Sequence, residues 1–135
     1  MEIRYVLQTD YSEILEIEKE NFNFPHSLEQ LKAQEILVAF DHEVLGYVGI
    51  KKVEDEGYIS NICVKKSHRR EGIADALLWK LIDEYNELSF ITLECRASNE
   101  AAISLYKKHG FDIVGKMSNY YIDPKEDALI MTLRF

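Results

Sequence analysis

The sequence predicts a single α/β domain, with a mixed central β-sheet flanked by about four helices. Three observations lead there. The chain has 135 residues, the size of one domain, so residues 1–135 are read as one. Short apolar runs of strand length recur from Ile3 to Phe135, separated by turn residues. Two stretches switch instead to helical spacing, most plainly Ala74, Leu77, Leu78, Leu81, Ile82 and Tyr85.

In chain order, Ile3 to Leu7 reads as a first strand. Asp10 followed by Glu13 resembles a capping box, and Ile14, Ile17 and Phe22 give a helical stripe after it. Ser27-Leu28-Glu29-Gln30 is a fuller capping box and opens a second, short helix after Pro25. Ile36 to Phe40 and Val44 to Val53 read as strands joined by a turn at Asp41-His42. Asp55-Glu56-Gly57 reads as the next turn and Tyr58 to Val64 as the next strand. The helix from Ala74 follows, then a strand from Phe90 to Cys95. A further helix opens near Ser98-Asn99 and stops at Gly110, which suits a left-handed cap. Lys107, Lys108 and His109 crowd its last turn, where positive charge suits the helix dipole. Phe111 to Lys116 and Ala128 to Phe135 close the chain as strands. The expected order is β-α-α-β-β-β-α-β-α-β-β.

Composition narrows the function. Apolar residues make up 47% and charged residues 30%, which suits a soluble chain with a real core. No apolar run reaches the roughly 20 residues of a membrane span, and Met1-Glu2-Ile3-Arg4-Tyr5 has no signal-peptide layout. A cytoplasmic protein with no membrane partner is therefore expected. The net charge of −8 disfavours nucleic acid, whose phosphates it repels, and favours cationic partners such as amines or basic peptides. Cys63 and Cys95 each sit in an apolar stretch and read as small buried hydrophobes. With His26, His42, His68 and His109 scattered, no metal-site spacing is seen.

Arg69-Arg70-Glu71-Gly72-Ile73-Ala74 carries the most chemistry. It lies between an expected strand and the strongest expected helix, whose N-terminus offers backbone N–H groups and a positive dipole end to phosphate. Gly72 and Ala74 are small enough for a diphosphate to come close. Lys65, Lys66, Arg69 and Arg70 bring positive charge into an acidic chain. Taken alone, the segment fits a phosphate cradle or an ordinary loop with a solvated charge run. It is neither a P-loop nor the Gly-x-Gly-x-x-Gly dinucleotide fingerprint.

Asn61-Ile62-Cys63-Val64 followed by Arg69-x-x-Gly72-x-Ala74 resembles the coenzyme A motif Gln/Arg-x-x-Gly-x-Gly/Ala of the GNAT N-acetyltransferases. A closer resemblance is to the bacterial ribosomal-protein-alanine N-acetyltransferases. Their segments are matched by Leu93-Glu94-Cys95-Arg96-Ala97-Ser98-Asn99-Glu100-Ala101-Ala102, Leu105-Tyr106, Gly110-Phe111, Asn119-Tyr120-Tyr121 and Glu126-Asp127-Ala128-Leu129-Ile130-Met131. The resemblance runs from the first strand to the last.

It implies a fold whose splayed strands bind acetyl-CoA. Ile62, Cys63 and Val64 would pair with the pantetheine arm through their backbone. The loop of Arg69, Arg70, Glu71, Gly72, Ile73, Ala74 and Asp75 would bind the cofactor, with Arg70 to Asp75 on the diphosphate, and Asn99 would touch the pantetheine arm. Glu94 matches the family's general base; without the resemblance it reads as a solvated strand-end charge or a partner of Arg96. Such a base is needed because only a neutral amine attacks. An α-amine, with a pKa near roughly 7.7–8.0 against about 10.4 for lysine, is partly neutral already at pH 7. Tyr106 matches the general acid that would protonate the departing thiolate; a core aromatic with a satisfied hydroxyl is the plainer reading. Ile103, Tyr106 and Gly110 share a helical stripe, so that ring is expected to face the sheet. Asn119, Tyr120 and Tyr121 would line the acceptor groove, or else form a polar turn over packed aromatics. Phe24-Pro25-His26-Ser27 resembles the family's Phe-Pro-Trp-Ser entrance segment, which puts His26 on the acceptor side. His26 in place of Trp, and Ser118 in place of Arg, depart from the family's pattern there.

The resemblance thus implies transfer of acetyl from acetyl-CoA, without a metal, to the N-terminal α-amine of a protein, a small-subunit ribosomal protein for preference. An acetyltransferase for a small, polyamine-like amine or a lysine side chain, and a non-catalytic acyl-CoA-binding module, are the alternatives. The oligomeric state stays open.

Overall fold

The computed structural model describes residues 1–135. Its strands are β1 (Glu2–Tyr5), β2 (Glu35–Phe40), β3 (Val44–Val53), β4 (Glu56–Val64), β5 (Phe90–Arg96), β6 (Asp112–Ile122) and β7 (Lys125–Arg134), and its helices are α1 (Tyr11–Asn21), α2 (Leu28–Lys32), α3 (Ile73–Glu84) and α4 (Glu100–Lys108). Every element expected from the sequence is present, in the expected order. The strands hydrogen-bond in the order β1-β2-β3-β4-β5-β7-β6, a seven-stranded mixed sheet. β4 and β5 run parallel, whereas β1–β2, β2–β3, β5–β7 and β6–β7 are antiparallel. By internal contacts the chain divides into two compact units, Met1–Lys51 with Ile59–Tyr85, and Lys52–Tyr58 with Asn86–Phe135.

In the first unit, α1 and α2 close over the inner strands. Ile14, Ile17, Leu31, Ile36, Val38, Val44, Tyr47 and Cys63 form one buried cluster. β3 is buried without a break from Val44 to Ile50, as a strand covered on both faces should be. The apolar stripe of α3 is buried as its spacing foretold, with Leu77, Leu78 and Leu81 fully inaccessible. Gly46 is required by a close approach, because a Cβ there would stand 2.8 Å from the Cys63 carbonyl oxygen.

Two expectations fail in this unit. Asp10 and Glu13 form no capping box: Asp10 closes a 3-10 turn, and its carboxylate accepts from the Leu7 N–H at 2.7 Å and from the Arg4 guanidinium at 2.7 Å. A strong cation nearby outcompeted the helix's own N–H groups for that side chain. Phe22 is the C-cap of α1 and is exposed; the buried face is Ile14, Ile17 and Glu18. The Ser27 box holds, with Gln30 N–H donating to Ser27 Oγ and Ser27 N–H to Gln30 Oε1.

In the second unit, β5 pairs with β7 from Phe90–Arg134 to Arg96–Ala128, and β4 with β5 from Glu56–Phe90 to Tyr58–Thr92. Asn99 caps α4, its Oδ1 accepting from Ala102 N–H at 3.1 Å. Gly110 takes φ +96° just past the helix, the left-handed conformation expected of it. The turn expected at Asp55-Glu56-Gly57 falls earlier. Glu54 takes the left-handed conformation and Glu56 and Gly57 already belong to β4. β6 continues past Lys116 to Ile122, so Asn119, Tyr120 and Tyr121 lie in a strand rather than a turn. The register slips between Met117 and Tyr121, where Asn119 adopts φ +53°. That bulge breaks the alternation on which a strand is recognised in sequence.

Candidate active site

In the first unit, β4 ends at Val64 and the next N–H, that of Lys65, returns to Leu45 O at 2.8 Å. Lys66–His68 makes a 3-10 turn. Two left-handed residues follow, Arg70 at φ +65° and Gly72 at φ +78°, and α3 starts at Ile73. The first helical hydrogen bond is Ala76 N–H to Gly72 O at 3.0 Å, so Ile73 and Ala74 precede the bonded ladder of α3 and face its N-terminal end. Left-handed residues at a helix start curl successive N–H groups toward one point, a geometry that suits an anion. A Cβ on Gly72 would meet nothing within 4 Å, so space lies open in front of it. These residues fit a diphosphate. Part of the positive charge read from the sequence is committed elsewhere: Lys65 pairs with Glu43, and the Arg69 guanidinium donates to Asn21.

Ile62 and Val64 are partly buried, and the Cys63 side chain is buried in the cluster below. Burial, and then the Glu18 carboxylate, push the Cys63 thiol up to about 12. A thiol held that high stays protonated, so what this stretch offers a ligand is backbone.

Glu18 was missed from sequence. It is wholly buried and accepts four hydrogen bonds. His26 N–H donates to Oε1 at 2.7 Å and His26 Nδ1 at 2.9 Å, while Asn61 Nδ2 donates to Oε2 at 2.6 Å and the Tyr47 hydroxyl reaches the same oxygen. The available signal was its place four residues after Ile14, which sets a carboxylate on the apolar face of α1.

In the second unit, Glu94 stands on β5 with its carboxylate accepting from the Tyr58 hydroxyl and, beyond it, from Tyr120. Burial and this hydrogen bond push the Tyr58 phenol well above its usual range. The hydrogen bond to Glu94 also raises that of Tyr120. Burial, and then Glu94, take Tyr121 to about 12. All three therefore stay protonated at neutral pH. The rings of Tyr120 and Tyr121 meet edge-on at 5.1 Å. Tyr58 was missed because nothing in a one-dimensional pattern pairs it with Glu94; parallel pairing of β4 with β5 does.

Arg96 is not the partner of Glu94. It donates to Pro124 O at 2.8 Å and Asp123 O at 3.1 Å, pairs with Glu126 at 3.2 Å, and lies 4.3 Å over the Tyr121 ring. Glu126 also accepts from Ser98 N–H at 2.6 Å, which fixes the approach to Asn99. Asn119 N–H donates to Asp127 at 2.8 Å. Tyr106 is buried on α4 with its ring 5.9 Å from that of Phe111, and burial holds its phenol above the ordinary value. The second unit thus assembles Glu94, Tyr58, Tyr120 and Tyr121, and the first unit holds the loop, Ile62 to Val64, and His26, which shares the Glu18 carboxylate with Asn61.

The family profile described as "Acetyltransferase (GNAT) family" matches residues 2–111. A Bacillus subtilis (strain 168) relative, provisionally named ribosomal protein bS18-alanine N-acetyltransferase, is 33% identical over 96% of this chain and 92% of its own. The N-alpha-acetyltransferase of Sulfurisphaera tokodaii is 34% identical over 96% of this chain and 90% of its own. The crystal structure of the Escherichia coli protein named for the same ribosomal-protein alanine acetylation is similar with a TM-score of 0.90 and 32% identity, covering 98% of this chain and 92% of that one.

Proposed function

Because this chain belongs to the acetyltransferase (GNAT) family and is an N-acetyltransferase, we propose that it acetylates the N-terminal α-amine of a protein, a small-subunit ribosomal protein for preference, in the cytoplasm. The observation that carries the reading is the Glu94 carboxylate, held by the Tyr58 and Tyr120 hydroxyls on a strand whose sequence matches the family's catalytic segment. Names of relatives with nearly full coverage support the choice of acceptor. Residues 1–135 act as one acetyltransferase domain.

Acetyl-CoA, the family's donor, supplies an acetyl group activated as a thioester. The backbone of Ile62, Cys63 and Val64 would pair with its pantetheine arm, Arg70 to Asp75 would hold its diphosphate at the start of α3, and Asn99 would lie against the arm. Glu94 takes the proton of the acceptor ammonium, directly or through water. Tyr58 and Tyr120 stay protonated, so they hold the Glu94 carboxylate oxygens in one orientation and never compete as bases. Tyr106 would be the general acid that protonates the departing thiolate, so that CoA leaves as the free thiol; burial keeps its phenol protonated beforehand. By the family resemblance, His26 of the first unit and Asn119, Tyr120 and Tyr121 of the second are each assigned to the acceptor.

The test is acetylation of a peptide beginning Ala-Arg, with the same peptide blocked at its α-amine and spermidine as controls, read by mass and by release of CoA thiol. Acetyl on the free α-amine alone supports the reading. Spermidine acetylated and the peptide untouched would assign the enzyme to small amines. Acetyl-CoA bound without turnover on any amine would make it a binding module.

A further inference from the structure

The reaction leaves unused a fully buried carboxylate. Glu18 Oε1 takes both the backbone N–H and the ring Nδ1 of His26, at 2.7 and 2.9 Å, so the residue is gripped at two points. Oε2 is anchored by Tyr47 on β3 and Asn61 on β4, which ties the grip to strands rather than to the connection between α1 and α2. The His26 side chain remains 27% exposed beside a carboxylate at 0%. In the same connection Phe24 is 70% exposed and Phe22 37%. The exposed rings thus share one connection with an imidazole held in a single orientation.

We propose that Glu18 is a positioning residue for acceptor selection, fixing the His26 ring so that Nε2 is presented to a backbone N–H of a peptide acceptor. The inference rests on the acceptor-side placement of His26 proposed above. With Nδ1 donating to a carboxylate, the neutral ring carries its proton on Nδ1 and a lone pair on Nε2. Nε2 then accepts a hydrogen bond, which an indole at this position cannot do because its nitrogen only donates. A peptide offers the matching pair, a backbone N–H beside side chains that can lie on Phe24.

The test combines the nitrogen-15 spectrum of the His26 ring with steady-state kinetics on the Ala-Arg peptide and on spermidine. The neutral ring is expected as the Nδ1–H tautomer. His26→Phe is expected to raise the peptide KM about tenfold, the worth of one hydrogen bond, with kcat and acetyl-CoA affinity unchanged. His26→Asn keeps a donor to Glu18 but has no atom at the Nε2 position, so it should match His26→Phe. His26→Gln reaches that position and should recover part of the loss. Glu18→Gln should lose the single tautomer and raise the same KM. An Nε2–H tautomer in the wild type, or an unchanged peptide KM in both His26→Phe and His26→Asn, overturns the inference while wild-type turnover of the peptide leaves the acetyltransferase reading standing. A wild type that does not acetylate the peptide removes both.

Discussion

At the scale of single residues, the proposed general base Glu94 is the first to test. Glu94→Gln keeps shape and the tyrosine contacts but cannot take a proton, so turnover of an α-amine should fall about 10²-fold or more with acetyl-CoA affinity unchanged by calorimetry. Equal loss of both would make Glu94 structural. Tyr58→Phe tests the support: removing one donor from the carboxylate should lower kcat and leave the acetyl-CoA dissociation constant alone. Cys63 gives a pH prediction. Its thiol sits at about 12 in the folded chain, so it should resist thiol reagents at pH 8 and react once unfolded, where its pKa returns to about 8.5. Rapid native labelling of Cys63 would contradict its burial. Glu94 and Tyr106 were legible as candidates through the motifs that flank them. Tyr58 and Glu18 were not, because their partners lie 36 and up to 43 positions away in sequence.

Among the elements, the start of α3 matters most. Gly72→Ala meets no neighbour and carries only the cost of a left-handed Cβ, about 1–2 kcal/mol, so the chain should fold and still bind acetyl-CoA. Gly72→Glu would set a carboxylate against the proposed diphosphate position and should abolish binding; normal affinity there would remove the loop from the site. At the other end of the same unit, Asp10 joins the 3-10 turn to β1. Burial alone would raise its pKa, but Arg4 and the Leu7 N–H outweigh that and hold it below the usual range. The stabilisation is therefore complete above about pH 4 and is lost as pH falls through the depressed folded value. Asp10→Asn should cost about 1–3 kcal/mol at pH 7 and much less at pH 2, read from urea midpoints. Periodicity found α3 because one face is apolar over its whole length. It placed the end of β6 wrongly, because the bulge at Asn119 interrupts the alternation and no local residue announces a bulge.

For the molecule as a whole, a net charge of −8 should steer basic acceptors toward the enzyme. kcat/KM for the Ala-Arg peptide should fall as salt rises from about 0.05 to 0.5 M, whereas a peptide with a neutral second residue should respond less; equal slopes would place the acceptor outside the field. The fold class and the order of all its elements were determined by sequence alone, because hydrophobic periodicity and capping act over neighbouring residues and survive in one dimension. So was the loop between β4 and α3, whose residue types and spacing are contiguous. Only the tertiary structure decided that Arg96 grips the β6–β7 connection and Tyr121 instead of Glu94, that Tyr58 holds the carboxylate, and that Glu18 is a hub for His26, Tyr47 and Asn61. Charged and hydroxyl side chains choose partners by distance and burial, and both are set by strand pairing between segments far apart in the chain.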